Sequence, residues 1–306
     1  MPQQQENPEK PGYLDLYRTG DLEKRAAAAE KQEKACNLCP HNCGTDRTRE
    51  LGFCRASHRV ILASYGPHFG EEAPLVGRRG SGTIFFGYCN MRCVFCQNCE
   101  LSFGGQGRVI SEDALAAVMI KLQEEYRCHN INLVTPTHFV PGILKALLTA
   151  AKRGLSLPLV YNCGGYEKLS TLHLLDGVID IYMPDFKYDL AERAHAYSRA
   201  RDYPDRVKEA LKEMDRQVGG LKLNSRGIAY RGLLLRHLML PGGLKDTKNI
   251  LRFIKEELSP DCAVNLMRQY YPAHEAYKYP ELQRRLDPAE YREAHAFARE
   301  LGLRLL

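Results

Sequence analysis

The sequence predicts an α/β chain: an open (β/α)6 partial barrel of the TIM type behind a small N-terminal four-cysteine metal knuckle. Three observations lead there. From residue 81 onward, short apolar runs alternate with segments whose apolar residues recur at helical spacing, as in a parallel sheet covered on both faces. Six such runs are too few for an eight-fold barrel, so the sheet stays open. Each run ends in an unusual polar loop, and in such folds the loops after the strands gather the active site.

The polar start Met1-Pro2-Gln3-Gln4-Gln5-Glu6-Asn7 has no apolar stretch of the secretory type, and no run is long enough to cross a membrane. Eleven cysteines in such a chain point to metal and redox chemistry in a reducing, cytoplasmic compartment, not to disulfides. The net charge of +6 is mild, and Arg78-Arg79 and Arg284-Arg285 are isolated pairs, so a nucleic-acid face is not expected.

Taken in order, residues 1–35 read as a polar lead and a helix around Ala26-Ala27-Ala28-Ala29. Residues 36–75 read as a metal-binding segment. Cys36, Cys39, Cys43 and Cys54, punctuated by Pro40, Gly44 and Gly52, make a knuckle too small to hold itself by packing. Four thiolates suit zinc or a second iron–sulfur cluster, with zinc as the structural choice. Val60 to Leu75 reads as short strands and turns that fold over the barrel mouth, together with the Tyr270-Tyr271-Pro272 to Tyr279-Pro280 stretch.

The barrel with its C-terminal helix takes residues 76–306. Its strands are read at 82–86, 131–134, 157–161, 178–183, 228–240 and 263–267. Helices are read from Ser111, which can cap Glu112 and Asp113, and at 141–153, 167–175, on either side of Pro204, at 246–258 and at 288–301.

The chemistry concentrates after the first strand, in Cys89, Cys93 and Cys96, spaced C-x3-C-x2-C. Soft thiolates in a short loop suit a [4Fe-4S] cluster, and three ligands leave one iron open. Zinc, with Cys99 as a fourth ligand, is the alternative.

This loop, with Phe95 before its last cysteine, resembles that of radical S-adenosylmethionine (SAM) enzymes, and in these the open iron chelates SAM. Further blocks carry the resemblance: residues 80–86, 130–138, 180–187 and 236–242. They are similar to the glycyl-radical-enzyme activases, in the branch called pyruvate formate-lyase activating-enzyme-like. The four-cysteine knuckle also resembles the N-terminal piece of a radical SAM group paired with Memo-type proteins. The resemblance implies an oxidoreductase that cleaves SAM to a 5′-deoxyadenosyl radical. Its implied partners are a low-potential donor of the flavodoxin or ferredoxin type and a glycyl residue of a partner protein as hydrogen source. A peptide, an RNA or a small metabolite is the alternative substrate, and a two-metal electron-transfer module without SAM turnover is the second alternative.

By the same resemblance Asp185 and Lys187 match the Asp-x-Lys that touches SAM and serves the radical step, while Phe95 and Asn98 lie beside the cofactor. Where the family has a Gly-Gly-Glu type motif, this chain has Thr135-Pro136-Thr137-His138, which offers hydroxyls, carbonyls and an imidazole but no carboxylate. Asn162 ends the third strand within reach of the SAM carboxylate or ribose. Arg236 and His237 are both candidates, but neighbours on a strand point to opposite faces, so only one enters the barrel.

Overall fold

The computed structural model describes residues 9–306, and the lead Met1–Asn7 lies outside the described residues. Six parallel strands form its centre: β2 (Ser81–Phe86), β4 (Ile131–Val134), β5 (Leu159–Cys163), β6 (Ile181–Pro184), β8 (Ala229–Leu238) and β9 (Ala263–Met267). They lie side by side in that order. Beyond β2 come β1 (Ile61–His68), antiparallel, and β3 (Arg108–Val109); beyond β9 comes β10 (Arg304–Leu305), parallel. The two-residue β7 (Lys222–Leu223) pairs with β8.

Strand alternation divides the core. Ile84, Leu133, Tyr161, Tyr182, Leu233 and Leu235 point outward into the large cluster shared with the helices. Val160, Ile181, Met183, Leu234 and Ala263 point into the lumen and pack with Leu75. The outer layer is α5 (Glu112–Glu124), α6 (Val140–Lys152), α7 (Leu169–Leu175), α8 (Ala191–Ser198), α9 (Tyr203–Val218), α10 (Leu244–Glu257) and α11 (Pro288–Glu300). Their starts follow local chemistry. Ser111 Oγ caps Ala114 N, Pro204 sits in the first turn of α9, and Asp287 with Glu290 forms a capping box on α11.

Three sequence expectations are corrected. The third strand begins two residues later than expected, after Pro158, whose carbonyl accepts Ile131 N at 2.9 Å. The fourth begins at Ile181, because Val178 and Ile179 donate back to Leu175 O and end the preceding turn. Val60–Leu75 does not cover the mouth. Since β1 runs antiparallel to β2, its last residue, His68, pairs with Ser81, the first of β2. The chain therefore crosses at the opposite end, where the short helix α3 (Ala73–Val76) puts Leu75 against the lumen core.

The first helices, α1 (Tyr13–Thr19) and α2 (Asp21–Lys31), are docked on the barrel. Tyr13 is fully buried and donates to Leu157 O at 3.1 Å. Asp180, 2% exposed, accepts Gly12 N and Leu159 N, each at 2.9 Å. Asp180→Ala leaves both N–H groups unpaired and should cost on the order of 2–4 kcal/mol, read by urea unfolding. A loss under about 1 kcal/mol would show that water replaces the carboxylate.

Candidate functional site

The loop after β2 turns at once. Tyr88 takes a left-handed conformation (φ 67°), and so does Thr135 (φ 59°) at the end of the neighbouring β4. Side chains rarely adopt that conformation, and adjacent outliers at two strand ends mark backbone held for a purpose. Thr135 N donates to Asn162 O at 2.8 Å, so the ends of β4 and β5 are fixed together.

Cys89, Cys93 and Cys96 lie within charge reach of one another. Met91 N donates to Cys89 Sγ at 3.3 Å, Ser198 Oγ donates to Cys93 Sγ at 3.0 Å, and Cys96 Sγ lies 3.5 Å from Ser102 Oγ. Burial pushes the Cys89 and Cys96 thiols up, and Lys187 acts in the opposite sense. Cys99 does not extend this set; it opens the short helix α4 (Cys99–Ser102), and Asn98 precedes it with its carbonyl accepting Leu101 N. Phe95 is 5% exposed and packs edge-on against Tyr188 and Tyr270.

Beside the loop stands a column of ions. Lys187 Nζ donates to Asp185 Oδ2 at 2.6 Å, and Arg236 Nε donates to Asp185 Oδ1 at 2.9 Å. The other arms of Arg236 reach Asn162 Oδ1 at 2.7 Å and Glu71 Oε2 at 3.5 Å. Side chains of Asp185, Lys187 and Arg236 are 16–18% exposed. Burial alone would raise the Asp185 carboxyl, but Arg236 and Lys187 together hold it below the usual carboxylate range. Close approach makes the column possible. A Cβ on Gly164 would lie 2.7 Å from Met91 Sδ, and one on Gly165 (φ 77°) would lie 2.4 Å from Asp185 O.

The choice between Arg236 and His237 is thereby made: Arg236 enters the lumen. His237 faces outward, with Nδ1 donating to Phe186 O at 2.6 Å and Nε2 accepting from Thr247 Oγ1 at 2.8 Å. Its placement among cofactor contacts is corrected by strand alternation. His138 also lies elsewhere than expected. It is 3% exposed, donates from Nε2 to Gly87 O at 2.9 Å, and is pushed down to about 3 by burial with Arg47 adding to it. It braces the start of the cysteine loop as a neutral ring. Thr137 is buried, and its hydroxyl donates to Glu167 Oε1 at 2.7 Å.

Glu167 was not singled out from sequence. It is 1% exposed, accepts from Tyr161 OH at 3.0 Å, and is raised by burial to about 7. A carboxylate two residues after the Gly164-Gly165 pair of a strand end was the available signal.

The four-cysteine knuckle docks on the same loop. His41 Nε2 donates to Asn90 O at 2.8 Å, and Arg92 donates to Phe53 O at 2.6 Å. Arg47, 1% exposed, gives its guanidinium to the carbonyls of Ala56, Ser57 and His138. Within the knuckle, the place a Cβ of Gly52 would take lies 3.6 Å from the sulfurs of both Cys43 and Cys54. Cys39 lies within charge reach of Cys36 and Cys54. Among the described residues, no three Cys, His, Asp or Glu side chains converge as the ligands of one ion would. A cubane cluster spreads its thiolates wider than one ion does, so three neighbouring sulfurs with hydrogen-bond donors suit it at Cys89, Cys93 and Cys96.

The Tyr- and Pro-rich stretch lies on the loop's outer side, with Glu275 N donating to Val94 O at 2.8 Å and His274 against Phe103. Among the described residues no helix is long and apolar enough to cross a membrane.

No family model matches the chain. It is 33% identical to the uncharacterized protein MJ0674 of Methanocaldococcus jannaschii, over 97% of this chain and 81% of that one. The fold resembles a radical SAM methyltransferase from Sphaerobacter thermophilus with a TM-score of 0.50 at 12% identity, covering 73% of this chain and 65% of that chain. Streptococcus suis SuiB, solved bound to the precursor peptide SuiA, aligns with a TM-score of 0.48 at 14% identity, covering 71% and 46%. The likeness to the methyltransferase concerns the fold: a mixed α/β chain with a parallel sheet like a radical SAM partial barrel.

Arg236→Met leaves buried carboxylates without their shared cation and should cost about 3–5 kcal/mol in chemical unfolding. Adding Asp185→Asn should recover part of it. A single-variant cost below about 1 kcal/mol would mean that solvent already screens the column.

Proposed function

We propose, for a chain that belongs to the same family as the Methanocaldococcus jannaschii protein, that it is a radical SAM enzyme. One observation carries the reading. The Cys89, Cys93 and Cys96 loop and the Lys187–Asp185–Arg236–Asn162 column occupy the same end of the barrel, with Lys187 in charge reach of the thiols. In this reading Cys89, Cys93 and Cys96 would hold a [4Fe-4S] cluster, and the column residues Lys187, Asp185, Arg236 and Asn162 would serve SAM.

When bound, such a cluster would supply the one electron that cleaves SAM to methionine and a 5′-deoxyadenosyl radical, the species that would take hydrogen from the substrate. The protein's own part is placement and exclusion of water. Both signs of charge in the column suit a zwitterionic sulfonium ligand, and Arg236, tied at three points, cannot drift. Thr135, with its strained backbone, offers a carbonyl and hydroxyl where the related activases have a Gly-Gly-Glu motif. Thr137 is committed to Glu167, which leaves Thr135 as the threonine free to serve the ligand.

The hydrogen source in this reading is a flexible segment, the glycyl loop of a partner or a peptide, as the likeness to the activases implies, and the Tyr270–Pro280 stretch packs on the cysteine loop at Val94. The electron donor is an acidic protein of the flavodoxin or ferredoxin type. Arg92 lies within charge reach of Arg55 and Arg199 beside the cysteine loop, a positive patch suited to such a partner. The knuckle thiols Cys36, Cys39, Cys43 and Cys54 do not converge as the ligands of a single zinc ion, so an iron–sulfur group is the second metal they would hold, and it would keep His41 and Arg92 docked.

Anaerobic reconstitution with iron and sulfide, then SAM and dithionite, should yield 5′-deoxyadenosine. Joint replacement of Cys89, Cys93 and Cys96 by Ala should lower the yield at least a hundredfold while metal stays on the knuckle. An unchanged yield in that variant, or none from wild type with a full iron content, contradicts the reading.

A further inference from the structure

The floor of the barrel carries polar groups that the fold does not use. The segment that forms it is fastened at two points: Asn130 Nδ2 donates to the Leu75 carbonyl, and Asn265 Nδ2 donates to Glu72 Oε1, both at 2.9 Å. Leu75 supplies the apolar base. One step up β4, on the face shared with Val160, is Asn132; it is fully buried, and neither atom of its amide has a partner. The second oxygen of Glu72, a residue 9% exposed, is likewise buried without a partner.

Idle buried groups of this kind are costly, and an amide and a carboxylate together cost several kcal/mol. Charge deepens the imbalance. Asp185, Glu71 and Glu72 all lie within reach of Arg236, and Lys187 is the second cation of the column. Three carboxyl groups thus stand around Arg236 and Lys187, burial pushes that of Glu71 up, and the idle oxygen belongs to Glu72. An anionic group there would meet Glu71 and Glu72, and a neutral apolar one would leave Asn132 unpaired.

We propose that the lumen floor binds a cationic substrate group, a protonated amine or a guanidinium, which donates to Glu72 Oε2 while Asn132 pairs with a polar group next to it. The cation then lies below Arg236, and the rest of the substrate points up toward Asp185 and the cysteine loop. The assignment of the reacting end rests on the radical SAM reading; the cation site does not. Free amines and the side chains of lysine or arginine share this chemistry.

Calorimetric titration of the full-length protein, without reductant or SAM, separates these sources. The probes are 1,4-diaminobutane, agmatine and the capped tripeptides Gly-Lys-Gly and Gly-Arg-Gly, with butyramide and glutarate as neutral and anionic controls. At least one cationic probe should bind more tightly than both controls. Glu72→Gln, nearly isosteric, should weaken it at least tenfold. The variant lacking Cys89, Cys93 and Cys96 should bind it as wild type does. Asn132→Leu should weaken binding while raising the melting temperature, whereas a purely structural Asn132 would lower it. Equal binding by Glu72→Gln, or no preference for cations over the controls, overturns the proposal. Loss of 5′-deoxyadenosine formation with cation binding intact would instead count against the radical reading alone.

Discussion

Arg236 is the constraint on which the barrel interior depends. Its planar guanidinium offers donors in a fixed fork, and each direction meets a different part of the chain. Nε and the two amino groups take Asp185 at the end of β6, Glu71 on the segment below, and Asn162 at the end of β5. Its own carbonyl accepts Phe186 N at 2.8 Å, which aligns β6 with β8 at the level of the site. A lysine cannot make these contacts at once. The residue therefore sets the spacing between the cysteine-loop end and the floor, and Lys187, held by Asp185, inherits its position from it.

Position at the other end of the site comes from the knuckle. Arg47 is a buried cation whose hydrogen bonds go to carbonyls of both the knuckle and the His138 turn. His138 in turn holds Gly87 O, two residues before Cys89. A chain of hydrogen bonds thus runs from the four-cysteine segment to the three-cysteine loop, and His41 on Asn90 O adds a second. Collapse of the knuckle would release the loop, a physical reason for two dense cysteine groups in one chain.

The six parallel strands were legible in the sequence because their apolar runs and strand-end loops are local signals, and Asp185, Lys187 and the cysteine loop stand where those signals put them. What was not legible depends on partners far apart in the chain. Residues 60–75 carry no mark of running antiparallel to β2, so their crossing under the barrel, and with it Glu71 and Glu72, came only from the fold. His138 and His237 read as site residues because their neighbours do. The carbonyls of Gly87 and Phe186 that claim them lie 51 residues away in sequence. Asn132 was hidden within an apolar run, and alternation alone reveals that it faces the lumen.

The central claim is that three thiols hold a cluster with one iron left open to SAM beside the Asp185–Arg236–Lys187 column. Electron paramagnetic resonance of the reduced, reconstituted protein, recorded with and without SAM, tests it most directly. The account predicts a [4Fe-4S] signal whose g-values shift when SAM is added, and a weakened SAM response in Asp185→Asn with the cluster retained. A signal identical in the presence and absence of saturating SAM would mean that the protein ligates all four irons, and would contradict the account.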